Sequence, residues 1–154
     1  MRADPAFEDL YRDEFPTVFR AAYVLCGNRA VAEDATQEAF ARALERWNRL
    51  REVPWVRGWI TTTALNAARR SLRRRRDPAP NPARGVDLEE WIDVWRGIRD
   101  LPRRQQEAVL LHYVADLPVS EVAGAMKCEE GTVKAHLARA RETLRRQREG
   151  ALDD

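Results

Sequence analysis

Apolar side chains recur at helical intervals almost from the start of the chain. Phe7, Leu10, Tyr11, Phe15, Val18, Phe19, Ala22 and Tyr23 form one face. Asp4-Pro5 supplies a capping carboxylate and a proline suited to the first helical position, Pro16 interrupts the face, and Cys26-Gly27-Asn28 closes it in a turn. A second helix is expected from about Arg29 to Trp47. Ala32, Ala39, Phe40, Ala43 and Trp47 lie on its buried side, and Asp34, Glu38, Ala41 and Glu45 lie opposite with Gln37 beside them. Pro54 and Gly58 argue for a loop over residues 48–58, carrying Trp55 between Arg51 and Arg57, before a helix resumes at about Trp59. Trp47 and Trp59 are assigned to the core and Trp55 to the surface.

Three prolines near residues 78–82 predict an extended linker. Asp87 begins a cap, with Glu90 three positions later in the capping-box place, for a helix from Leu88 to about Arg99 that would bury Trp91, Ile92 and Trp95. The next helix, from Leu101-Pro102 to about Ala115, has Val109, Leu110, Tyr113 and Val114 as expected core. A short helix, a tight turn and a longer helix follow, with a frayed tail from Gly150. On the longer helix Val133, Leu137, Ala140 and Leu144 make the buried stripe, while Thr132, Lys134, Ala135, Ala138 and Arg139 fall outside it. That outer surface is small at its centre and basic further along. It suits a helix entering the DNA major groove, and equally an ordinary amphipathic helix with a solvated basic face. No stretch alternates as a strand would and no repeat is present. The chain is read as all-α, in two small helical domains (5–77 and 91–149) joined by a linker (78–90).

Charge sharpens this picture by its placement more than by its sum of +2. Residues 66–76 hold six arginines and no acid, and residues 134–148 hold six basic side chains against Glu142 alone. Two compact basic strips fit two contacts with a polyanion, or two solvated helix ends. Trp55 among arginines suits an unpaired base, which can stack on the ring while guanidinium groups hold phosphate. The strip of Asp34, Gln37 and Glu38 is either plain solvated surface or a docking face for a basic partner. Cys26 and Cys128 match no ligand spacing, so neither a metal nor a disulfide is expected. No basic-then-apolar leader and no spanning run is present, and a cytoplasmic protein without membrane insertion is expected.

The motifs AEDATQEAF (residues 32–40), WITTTALN (59–66), LPRRQQEAVLL (101–111) and GTVKAHLARAR (131–141) resemble regions 2 and 4 of the extracytoplasmic-function (ECF, group IV) sigma factors of the sigma-70 family. The resemblance covers roughly residues 7–146, and the order, spacing and proline-bearing linker make it specific. It implies a non-enzymatic subunit that binds core RNA polymerase, at its clamp helices and flap, and recognises promoter −10 and −35 elements without a cofactor. Asp34, Gln37 and Glu38 match the clamp-docking part of region 2. Residues 49–57 match the loop that captures a flipped −10 base, with Arg51, Trp55 and Arg57 as its contacts. Asn66, Arg69 and Arg70 lie on the helix expected to hold the duplex edge there. Thr132, Lys134, Ala135, Ala138 and Arg139 match the helix that reads duplex −35 DNA. An anti-sigma factor is an expected partner. Extruding a base costs a few kcal/mol, a debt that a pocket and stacking can return.

The chain departs from the family pattern at Pro118, where a capping serine or threonine is usual, and at Lys127, where glycine is usual. A left-handed backbone at Lys127 would cost roughly 1 kcal/mol. Glu129 and Glu130 open the reading helix, and His136 replaces a usual arginine. Two other functions remain open on sequence alone: a stand-alone helix-turn-helix regulator, and a helical polymerase-interacting module without promoter selectivity.

Overall fold

The computed structural model describes residues 4–74 and 96–153, with side chains to residue 150. Asp4 accepts the Ala6 N–H at 2.8 Å and Pro5 takes the first position of α1 (Pro5–Cys26), as the local sequence dictates. The helix passes Pro16 without a break and ends on Gly27, whose φ of 68° is the left-handed conformation glycine adopts freely. Asn28 then caps α2 (Arg29–Glu45) by accepting the Val31 N–H. The expected run to Trp47 is cut short at Arg46, and a single turn, α3 (Trp47–Leu50), follows. The next helix, α4 (Val56–Arg74), begins three residues earlier than expected. Pro54 sits in the turn before it, so the loop is shorter than residues 48–58.

Helices α1, α2 and α4 enclose a core of Phe7, Val18, Phe40, Leu50 and Ile60, with Ala39, Ala43 and Ala64 letting the helices approach closely. Phe40 is ringed by Phe7, Tyr11 and Phe15 at 4.9 to 6.4 Å between centroids. Burying side chains of this size contributes about 1.5–3 kcal/mol each. Trp47 and Trp59 pack against this core, as expected.

In the second half residues 96–99 are helical, and the expected linker, the capping pair and Trp91, Ile92 and Trp95 lie outside the described residues. Helix α5 (Arg103–Val109) runs into a five-residue π turn over Leu110–Val114. The extra residue in that turn rotates Tyr113 out to solvent, 48% exposed, and buries Leu111 in its place. Tyr113 is therefore not core. The helix-turn-helix pair is α6 (Val119–Met126) and α7 (Glu130–Asp153). Pro118 leaves α6 without a side-chain cap, and Lys127 turns the corner at φ 56°, ψ 48°. Val133, Leu137 and Ala140 are buried, with Leu144 packed beside them. Gly150 does not begin a frayed tail, since α7 continues to Asp153.

The two helical domains pack directly on one another. Ala21, Leu25, Val31, Leu65 and Ala68 of the first share one continuous core with Leu110, Leu111, Leu117, Val122 and Val133 of the second. Among the described residues there is no strand, and no helix is long and apolar enough to cross a membrane.

Candidate nucleic-acid interface

The outer face of α7 is built as its sequence requires. The buried stripe turns Thr132, Lys134, Ala138 and Arg139 to solvent, with Ala135 half-buried at the edge. Neither Lys134 nor Arg139 makes an ion pair among the described residues, so both cations are available to phosphate or base edges. His136 is half-buried, its Nδ1 without a hydrogen-bond partner.

On α2, Asp34 and Gln37 are exposed. Gln37 Nε2 donates to Tyr11 Oη at 3.1 Å. Glu38 accepts from Arg42 at 3.2 Å and from Arg70, across on α4, at 3.0 Å. Asp34, Glu38, Arg42, Arg70, Ser71 and Arg74 line a groove of about 490 Å³ between the two helices. The structure thus groups Arg70 with the acidic strip on α2, not with Arg69.

The remaining residues expected at −10 DNA lie where the halves meet, apart from Arg51, which pairs with Asp4 at 3.2 Å. Arg57 Nε donates to Glu121 Oε1 at 3.2 Å, with a second guanidinium nitrogen 2.9 Å from Oε2 and Glu14 at 3.7 Å. Trp55 is 38% exposed, but its indole lies flat over Gly124 of α6, where a β-carbon would come within 2.6 Å of the ring. Asn66 Oδ1 accepts from Arg69 and from Arg103, each at 3.1 Å. Arg69 also donates to Gln106 Oε1 at 2.9 Å and to Glu107 Oε1 at 3.4 Å, and its side chain is only 12% exposed. Burial pulls the Arg69 guanidinium below its ordinary value, and Glu107 opposes that shift. Glu107 is buried among Arg69, Arg103 and Arg104, and Gln106 is fixed by donating to the Ile98 carbonyl at 3.0 Å.

Sequence reasoning missed these partners. The acids and amide of RRQQE on α5, and Glu121 on α6, look like solvated positions until the fold brings α4 against them. Gly58 is read as a helix breaker. In the structure it lies inside α4, where a β-carbon would stand 2.8 Å from Ala125 Cβ.

A family model described as "Sigma-70 region 2" matches residues 10–77, and one described as "Sigma-70, region 4" matches residues 92–144. The chain belongs to the sigma-70 family, in its ECF group. Among curated ECF relatives it is 30% identical to the ECF RNA polymerase sigma factor SigM of Mycobacterium tuberculosis, over 92% of this chain and 76% of that one. Identity to the ECF RNA polymerase sigma factor SigE of Mycolicibacterium smegmatis is 30%, over 93% of this chain but 62% of the relative's length. For the ECF RNA polymerase sigma factor BldN of Streptomyces coelicolor the figures are 32%, 92% and 60%. The fold is shared with the solved structure of the sigma factor RpoE in complex with the anti-sigma factor NepR from Bartonella quintana. That likeness has a TM-score of 0.76 at 20% identity, over 95% of this chain and 98% of that one. CnrH, solved in complex with the cytosolic domain of CnrY, gives 0.73 at 22% identity, over 96% and 88%.

Proposed function

We propose that this chain is a promoter-specificity subunit: it binds core RNA polymerase and directs initiation by reading −35 DNA with region 4 and −10 DNA with region 2. The observation that carries this reading is the outer face of α7. Its small residues and two cations without an ion pair among the described residues project above a buried stripe, in a chain that also holds region 2. In this assignment Thr132, Lys134, Ala135, Ala138 and Arg139 contact duplex −35 DNA. Arg51, Trp55, Arg57, Asn66, Arg69 and Arg70 serve the −10 element, partly single-stranded, and Asp34, Gln37 and Glu38 serve the polymerase clamp helices. The flap is the expected contact of region 4. Residues 5–77 and 91–149 are the working domains and 78–90 the join between them. The polymerase supplies the bond-forming chemistry, so the chain contributes recognition and works in the cytoplasm. An anti-sigma factor is the proposed inhibitory partner, supported by the solved structure of RpoE, which holds the anti-sigma factor NepR.

The experiment is in vitro transcription with purified core polymerase on genomic fragments, followed by start-site mapping. New start sites that appear only with this chain are the expected result. A holoenzyme that initiates nowhere beyond the bare core would overturn the proposal.

A further inference from the structure

We infer that Tyr113 and Arg141 form a second DNA contact beside the −35 reading face, a paired hydroxyl and guanidinium that hold one backbone phosphate. The inference rests on the assignment of α7 to −35 DNA proposed above and extends that contact to the π turn, which supplies none of the reading residues.

The π turn sets the pair up. It carries Tyr113 out to solvent, 48% exposed, where the helical period would have buried it, and turns of this kind inserted in helices recur at functional sites. The exposed ring is nonetheless held in place. His112 packs edge-on against it with 4.9 Å between centroids, and His112 Nδ1 lies 2.9 Å from the Leu117 carbonyl oxygen. From α7, a guanidinium nitrogen of Arg141 donates to Tyr113 Oη. A phenol that accepts a hydrogen bond keeps its own proton to donate, and among the described residues no acceptor takes it. Arg141 is exposed and makes no ion pair among the described residues, so most of its N–H donors are uncommitted.

The place of the pair names its ligand. Residues seven apart on a helix face within about 20° of one direction. Arg141 therefore stands in the row of Lys134 and Ala138, roughly 10 Å beyond Lys134 along α7. A helix in the major groove reads base edges with its N-terminal residues. A cation two turns further along meets the sugar-phosphate strand that borders the groove, where tyrosine hydroxyls and guanidinium groups both serve as donors. The neighbouring acid does not compete, because Glu142 is taken up by Arg145 at 2.7 Å and Arg146 at 3.2 Å. Two convergent donors, one of them charged, thus face the side from which a phosphate would come.

The test is fluorescence anisotropy of the full chain with two short labelled duplexes of unrelated sequence, over a series of salt concentrations. Arg141→Gln should weaken binding to both duplexes about fivefold and lower the slope of log affinity against log salt by about 0.9, the share of one phosphate. Arg141→Lys should keep the slope. Tyr113→Phe retains the ring and should weaken both duplexes about threefold at unchanged slope. Because the two groups act on one phosphate, the double variant should lose less than the product of the single losses. All variants should keep wild-type helical circular dichroism and affinity for core polymerase. An unchanged slope in Arg141→Gln, or a loss confined to one sequence, would overturn the pair. So would lost polymerase affinity with duplex binding intact, which would assign the pair to polymerase. Lys134→Gln, run in parallel, separates failure of the pair from failure of the −35 assignment. If Lys134→Gln lowers the slope and Arg141→Gln does not, α7 still meets DNA and the pair fails. If neither lowers it, or wild type binds no duplex at low salt, both fail.

Discussion

Two side chains stand in backbone conformations that L-residues occupy at a cost. Asp116 and Lys127 both have φ of 56°, and both are exposed, so neither conformation is compensated by burial of the side chain. Asp tolerates the left-handed region better than Lys, because its short polar side chain can bond locally. Lys127→Gly should therefore raise stability by about 1 kcal/mol, less the entropy that glycine adds to the unfolded chain, and Asp116→Gly by less. Chemical denaturation of the two variants checks the ranking. A larger gain at Asp116 would show that strain is not what separates them. Charge pairs give a second residue-scale expectation. Glu142 accepts from Arg145 at 2.7 Å and from Arg146 at 3.2 Å, and these bonds hold its carboxyl below the ordinary value of 4.5. A depressed carboxylate contributes above its unfolded value and loses that contribution as pH falls through the folded one. The end of α7 should therefore loosen in acid below about pH 4.5 and not between pH 5 and 8. Backbone chemical shifts of residues 142–150, followed from pH 7 to pH 3, report it.

At the scale of elements, α2 and α7 each expose one polar face above an apolar one, and each face can be tested alone. Asp34→Ala with Glu38→Ala removes the acidic strip and breaks only half-exposed pairs to Arg42 and Arg70. Exposed pairs contribute at most about 1 kcal/mol, so the fold should survive while affinity for core polymerase falls about tenfold or more. Co-purification at wild-type affinity would remove that face from docking. Lys134→Glu or Arg139→Glu places a carboxylate where phosphate is expected. Start-site selection should weaken on promoters carrying a −35 element and be spared where region 2 contacts suffice. Much of this was legible beforehand, because α1, α2, α4 and α7 each repeat their apolar positions at the helical period. The buried stripe of Val133, Leu137 and Ala140 follows from that period alone. Local rules failed where a distant contact overrode them. Gly58 lies inside α4, and what its missing β-carbon reports is the close approach of Ala125, while Tyr113 leaves the core because one added residue in the π turn shifts the face. Pairs such as Arg57 with Glu121, 64 positions apart, have no local signature at all.

For the molecule as a whole, the shared core has a consequence for unfolding. Helix α4 packs on α1 and α2 on one side and on α6 on the other, and Leu65, Leu110, Leu111 and Val122 are fully buried in one continuous cluster. Opening one half therefore exposes apolar surface on the other, about 25 cal/mol for each Å². The ion pairs at the join add specificity more than strength, since desolvating Arg69 and Glu107 offsets most of their attraction. Apolar burial should then couple the halves, and wild type should melt in one cooperative transition, with circular dichroism and tryptophan fluorescence coinciding. Wedging the join with Gly58→Ala/Gly124→Ala should split that transition in two, because each half keeps its own helices and loses the other's surface. Raising salt alone should not split it, as screening acts on the charges and leaves the apolar join in place. Two transitions in wild type at low salt would mean that the cluster spanning both halves does not bind them together, and that charge alone draws them into contact.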